Sequence, residues 1–214
     1  MLKFLSYLYP ITTKVASAVS GNLEITWYNG KKYLNTKNAN YSYGSLQEIL
    51  KFGLKNINLA PVNSVLVLGL GGGSVVQTLR EDFNYQKAIT AVDIDATVIK
   101  IAKEEFQIAP SKNLHIVCED ARIYVANTSK KFDLIIIDIF IDTQVPKQFL
   151  SLTFWKAVLN IASPNAAILF NAAVSPEPNY QLETIISFLK THMYQVAVHK
   201  KVLGTNTLVI GKPL

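Results

Sequence analysis

Three aspartates and a glycine turn stand out in this 214-residue sequence because each closes a short apolar run. The run "VLVLG" breaks into Gly69, Gly71, Gly72 and Gly73, where missing side chains let backbone approach a ligand and let the next helix present its free N–H groups to it. The run "AVDID" ends in Asp93, whose carboxylate can accept hydrogen bonds from both hydroxyls of a ribose, a requirement shared by NAD and adenosylmethionine sites. Asp95, two positions on, is the better N-cap for the following helix. "VCEDAR" brings Asp120 to the end of a third run, where it either accepts from an adenine amino group or caps the helix starting near Ala121; the adenine role is favoured. "FDLIIIDIFID" ends in Asp138 with Asp142 in the loop beyond. A carboxylate at the end of a buried strand is costly unless paired or at a site, so Asp138 is a candidate for the reacting end of a ligand. A dinucleotide site would show GxGxxG, but counting from Gly69 the last position is Ser74 and counting from Gly71 it is Val76, which disfavours an NAD oxidoreductase.

These residues need a scaffold that brings several strand ends to one edge. From about Ser64 the chain alternates β-branched runs ("SVLVLG", "AITAVD", "LHIVCE", "FDLIIID", "AAILFN", "YQVAVHK", "NTLVIG") with segments of helical spacing. Continuous apolar runs are the pattern of parallel strands covered on both faces, so a doubly wound α/β fold with right-handed crossovers is expected. Only "VLGTN" separates the last two runs, too few residues for a helical crossover, which predicts an antiparallel C-terminal hairpin at or near one sheet edge. That order is the one expected of a Rossmann-like class I methyltransferase fold. Upstream, Asn29-Gly30 between two strand-like runs predicts a small β-hairpin, and "NYSYGSLQEIL" a loop with Ser42 or Ser45 as N-cap of a helix. The expected division is an appendage over 1–50, with an N-terminal helix, the hairpin and a substrate loop, and a nucleoside-binding catalytic domain over 51–214.

Composition narrows the function class. The longest apolar runs fall short of the roughly 20 residues a bilayer crossing needs, so no membrane partner is expected. Ser6, Tyr7, Tyr9 and Pro10 interrupt the N-terminal apolar stretch and argue against a signal peptide. One cysteine, Cys118, excludes an internal disulfide and fits a reducing cytoplasm; its strand position predicts a core residue, as the apolar helix around Trp155 does for that tryptophan. Three scattered histidines and no CxxC give no zinc cluster, hence no metal is expected. Net charge is +6, but the lysines are dispersed, and no Asn/Asp-Pro-Pro-aromatic stretch follows the fourth run; both features argue against nucleic acid.

The order "VLGLGGGS", "AVDID", "CEDA" and "DLIIIDIF" resembles the spermidine synthase-like branch of the class I adenosylmethionine-dependent transferases, over about residues 60 to 175. The resemblance implies that Gly69, Gly71, Gly72 and Gly73 hold the amino-acid end of S-adenosylmethionine or its decarboxylated form, that Asp93 takes the ribose and that Asp120 with Ala121 takes the adenine. Asp138 stands at the family's catalytic position and Asp142 is expected as a second catalytic residue, while Tyr43, Gln47 and Asp142 are the expected acceptor contacts; packing is the alternative for Tyr43. The family commonly forms dimers or tetramers, so a homodimer is compatible with the resemblance. Its diamine-using members read GGGDGG and DSSDP where this chain reads GGGSVV and "DIFIDTQVP", and a doubly charged diamine needs several carboxylate partners. Methyl transfer to a small-molecule acceptor is therefore the leading expectation. Aminopropyl transfer of the spermidine synthase type and a non-catalytic nucleoside-binding module are the alternatives.

Overall fold

The computed structural model of the chain describes residues 2–36, 40–141, 144–173 and 179–214. A short helix α1 (Leu2–Leu5) leads into four strands, β1 (Ile11–Ser17), β2 (Gly21–Tyr28), β3 (Lys31–Thr36) and β4 (Asn40–Ser42), and then helix α2 (Ser45–Lys55). Strand and helix next alternate as β5 (Ser64–Leu68), α3 (Ser74–Glu81), β6 (Ala88–Asp93), α4 (Ala96–Phe106), β7 (Leu114–Cys118), α5 (Ala121–Asn127) and β8 (Phe132–Ile137). A 3-10 turn at Lys147–Leu150 precedes α6 (Leu152–Ile161), β9 (Ala162–Asn171), α7 (Tyr180–Thr191), β10 (Tyr194–Val202) and β11 (Asn206–Pro213).

The seven C-terminal strands form one sheet in the order β10-β11-β9-β8-β5-β6-β7. Strands β5 to β9 are parallel, whereas β11 runs antiparallel to both β9 and β10, so the expected hairpin stands at the edge and the doubly wound reading holds. Alternate residues of one strand supply opposite faces: Val65 and Val67 join the core under α2, α3 and α4, while Leu66 and Leu68 join the core under α5, α6 and α7. Trp155 is fully buried, as expected, and its Nε1–H donates to the Phe149 carbonyl at 3.0 Å. The chain leaves β5 toward β6 on one side and returns through β8 on the other. The crevice between the ends of β5 and β8 is the switch point where open α/β sheets place ligands.

The N-terminal region is larger than the expected hairpin. Asn29 and Gly30, both at positive φ, do join β2 to β3, but β1 and β4 flank them in a four-stranded antiparallel meander. Leu23, Ile25 and Leu34 of that sheet pack on Val98 and Ile101 of α4. Lys32 Nζ reaches both the carbonyl and the carboxylate of Glu105 at 2.8 Å, and Ser17 donates to Asp95. This docking is what lets the small sheet close over the switch point. Ser42 lies in β4 and Ser45 is the first helical residue, so neither caps α2; Gly44 holds that position without a side-chain bond. Cys118 is exposed rather than buried, because β7 is the sheet's edge strand. Among the described residues no helix is long and apolar enough to cross a membrane.

Candidate functional site

A cavity of about 380 Å³ opens at the switch point, within the size range of small-molecule sites. The strand ends supply its floor: Gly69, Leu70 and Gly71 after β5, Asp93 and Ile94 at the end of β6, Glu119, Asp120 and Ala121 after β7, and Asp138 to Ile141 after β8. Its other wall comes from the N-terminal sheet, through Val19, Ser20 and Gly21 in the β1–β2 turn together with Thr36 and Ser42. Four acids line it, and among its described lining residues none is Lys, Arg or His. Acids without lining cations bias the cavity toward a cationic ligand, an effect reduced where Arg122 pairs with Asp120 and where burial raises the Asp138 pKa.

Asp93 is 7% exposed. Its Oδ2 accepts the Gly71 N–H and its Oδ1 the Asp95 N–H, both at 3.0 Å, so the carboxylate holds the glycine turn against the end of β6. Burial pushes its pKa up to about 6, against the pull of those N–H donors. Each carboxylate oxygen keeps lone-pair capacity for a further donor. Asp95 caps α4 as expected, accepting from the Thr97 and Val98 N–H groups. Burial disfavours its charge, but hydrogen bonds from Ser17 and Ser20 prevail and hold its pKa below the ordinary value. Asp120 lines the cavity while capping α5 and pairing with the Arg122 guanidinium at 2.7 Å, and that partner holds its pKa low. Asp120 thus caps α5 and borders the cavity at once.

Only part of the glycine turn opens the cavity. Gly69 and Gly71 line it, whereas a Cβ on Gly72 would stand 3.0 Å from Ser42 and Tyr43, and one on Gly73 would stand 2.5 Å from Ile108. Those two glycines make room for neighbouring protein. Tyr43 and Gln47 likewise serve the scaffold rather than the cavity wall. Tyr43 is 8% exposed, stacks on Phe106 with centroids 4.4 Å apart, and donates to the Gly72 carbonyl at 3.1 Å. Gln47 donates to Thr78 of α3 at 3.1 Å, and it is Leu46, one position earlier on α2, that reaches the cavity. The packing alternative for Tyr43 is the one realised. Tyr43→Phe, which removes one buried hydrogen bond, is expected to cost about 1 kcal/mol and lower the melting temperature by roughly 2–4 °C in calorimetry. An unchanged melting temperature would discount Tyr43 as the clamp on the turn.

Asp138 follows β8, its N–H bonded to the Leu68 carbonyl at 2.9 Å; the residue is half-buried and lines the cavity. Burial pushes its pKa up to about 7, which a hydrogen bond from Asn171 at 2.9 Å only partly offsets. Asn171 is absent from the expectations above, yet it ends the run "AAILFN" as Asp138 ends its own, and that polar terminus was the available signal. Beyond Asp138 the wall is apolar: Ile139, Phe140, Ile141, Pro146 and Phe149, with Gln148 among them. Asp142 lies outside the described residues.

A family model described as the spermine/spermidine synthase domain matches residues 48–207. The chain belongs to that family. A polyamine aminopropyltransferase from Vibrio vulnificus is 30% identical over 110 residues, covering 50% of this chain and 36% of that protein. One from Sulfolobus acidocaldarius is 32% identical over 147 residues, covering 63% and 47% respectively. The chain thus spans about half or less of the length of these relatives. Human methyltransferase-like protein 13, solved in complex with SAH, has a TM-score of 0.67 at 20% identity, covering 80% of this chain and 83% of that one. At that identity the likeness is one of fold, and it agrees with the class I methyltransferase order of the sheet.

Proposed function

We propose that the cavity binds a sulfonium nucleoside and that the protein transfers a carbon group from it, with methyl transfer from S-adenosylmethionine to a small-molecule acceptor as the leading reaction. The carrying observation is the cavity's charge: four acids and, among its described lining residues, no cation, at the switch point of a spermine/spermidine synthase-family domain. In this reading Gly69 and Gly71 offer backbone to the amino-acid end, Asp93 accepts from the ribose hydroxyls with its remaining lone pairs, and Asp120 with Ala121 borders the adenine. Ser42 and Ser74, both lining that cavity and 3.0 Å apart, meet the amino-acid end with hydroxyls, which do not repel a carboxylate.

At the reacting end the acceptor's lone pair forms a bond to the carbon beside the sulfonium. The carbon–sulfur pair returns to sulfur, leaving a neutral thioether, and a proton lost by the acceptor passes to Asp138. A carboxyl with a pKa of about 7 suits that exchange at neutral pH. The apolar wall from Ile139 to Ile141 and Phe149 supports a small, weakly charged acceptor over a diamine with two cationic ends. The aminopropyl reading draws its support from the names of the relatives, and the binding-module reading from the apolar wall. We place the protein in the cytoplasm, on its single cysteine.

Calorimetric titration with S-adenosylmethionine, its decarboxylated form, methylthioadenosine and NAD separates these readings. Preferential binding of S-adenosylmethionine is expected. Preference for the decarboxylated form would restore aminopropyl transfer, and binding of NAD alone, or of nothing, would overturn the nucleoside roles of Asp93 and Asp120.

A further inference from the structure

Asn171 ends β9 as Asp138 follows β8, and these strands are parallel neighbours. Its side chain is 0% exposed. The amide oxygen accepts the Ala173 N–H at 3.2 Å and the Asn206 side-chain amide at 3.0 Å. An oxygen that receives a backbone donor cannot trade places with the NH2 group, because donor would then face donor. The NH2 group therefore has one orientation, toward Asp138 Oδ1 at 2.9 Å. Asn206 begins β11, and the backbone around the pair is tied by Thr207 N–H to the Ala173 carbonyl and Ala172 N–H to the Thr207 carbonyl, both at 2.8 Å. A buried asparagine must have its polar atoms satisfied, and here the partner of its NH2 group is the carboxylate that lines the cavity.

We propose that Asn171, oriented by Asn206, is the positioning residue of the site: its bond to Oδ1 fixes the plane of the Asp138 carboxylate and leaves Oδ2 as its less encumbered oxygen for an acceptor. The proposal rests on the reading above that Asp138 faces the reacting atoms. A carboxylate fixed in this way takes up one proton from the acceptor. That matches an acceptor with one protonated nucleophile and leaves a second cationic end without this partner.

The test uses protein labelled with ¹³C at the aspartate carboxyls and titrated by NMR, with Asp138→Asn identifying the resonance. The other ionisable groups sharing the cavity are Asp93 from β6 and Glu119 and Asp120 from the end of β7; they are common to all variants, so the difference between variants reads Asn171. Loss of the donor in Asn171→Ser is expected to move the Asp138 midpoint up by about one pH unit, since a hydrogen bond to the charged form is removed. Asn171→Asp, which sets a second carboxylate against the first, moves it further up. Asn206→Ser, at a partly exposed position, moves it in the same direction by less and keeps the proposal testable should the buried variants fail to fold. An unmoved midpoint in the folded variants overturns the positioning role. Nucleoside titration of the unaltered protein separates the two readings: a moved midpoint without nucleoside binding would leave Asn171 in place and remove the transferase reading, and binding with an unmoved midpoint the reverse.

Discussion

Gly69→Ala is expected to destabilise the protein by about 4 kcal/mol, lowering the melting temperature by roughly 8–16 °C, or to prevent soluble expression. Two costs meet at this residue. Its φ of +94 is a conformation that residues with a Cβ adopt at a penalty of order 1–3 kcal/mol. A Cβ built there would also stand 2.1 Å from the backbone carbonyl oxygen of Asp138. A flexible side chain could move aside, but this oxygen belongs to a backbone held on both sides. Asp138 N–H bonds to the Leu68 carbonyl and Gly69 N–H to the Val92 carbonyl, each at 2.9 Å, so relief requires parting β5 from β8 or from β6. Gly21→Ala supplies the contrast: its φ is +69, but nothing lies within 4 Å of the added Cβ, so only the conformational penalty of about 1 kcal/mol applies. Thermal melts of both variants check the argument. Equal losses would mean that the contact with Asp138, the joint on which the cavity floor depends, carries no weight.

The parallel strands were readable because strands buried on both faces have nothing to alternate with: "LIII" and "VLVL" read as interior. The antiparallel edge followed from the length of one loop. Less was legible upstream, where β1 ("ITTKVAS") is mostly exposed along its length and carries no hydrophobic period strong enough to announce a strand. Its partnership with β2 is set by tertiary contacts, which a single sequence does not display. At the site, Asp93 and Asp138 were found by one rule, a polar residue closing an apolar strand. The same rule, applied to "AAILFN", would have found Asn171. Tyr43 and Gln47 illustrate the opposite failing. Sequence placed them near the site, but Tyr43, just before α2, is drawn onto Phe106 and the Gly72 carbonyl, and which face of α2 meets the cavity depends on how that helix sits on α3: Leu46 points inward and Gln47 bonds Thr78. The two later glycines were read as ligand space because a glycine does not say what approaches it; in the fold it is Ser42, Tyr43 and Ile108.

Asp138→Asn is expected to have opposite effects on chemistry and on stability, and the combination is more telling than either alone. Under the proposed reading, the variant keeps the cavity and binds S-adenosylmethionine within about tenfold, since one of four lining acids is lost, while transfer falls by about 10²-fold or more through loss of the proton acceptor. Stability should move the other way. The carboxyl titrates at about 7 in the folded protein against 3.8 for an ordinary aspartate, because burial disfavours its charge. Between those values the unfolded chain is ionised while the folded one holds its proton, so the stability of the unaltered protein falls as pH rises from about 4 and levels off above 7. Asparagine does not ionise and can still accept from Asn171. The variant should therefore match the unaltered protein near pH 4 and exceed it at pH 8. Discounted for the partial exposure of Asp138, the gain is about 2 kcal/mol, or roughly 4–8 °C in melting temperature. Asp93, whose pKa is also raised, has the same sign but is present in both proteins and cancels in the difference. Melting curves at pH 4 and pH 8 with a transfer assay read the two effects together. A gap that does not widen with pH would mean that the Asp138 carboxylate is solvated. Turnover retained at full rate would mean that the acceptor reaches the site already deprotonated, with Asp138 stabilising charge and taking no proton.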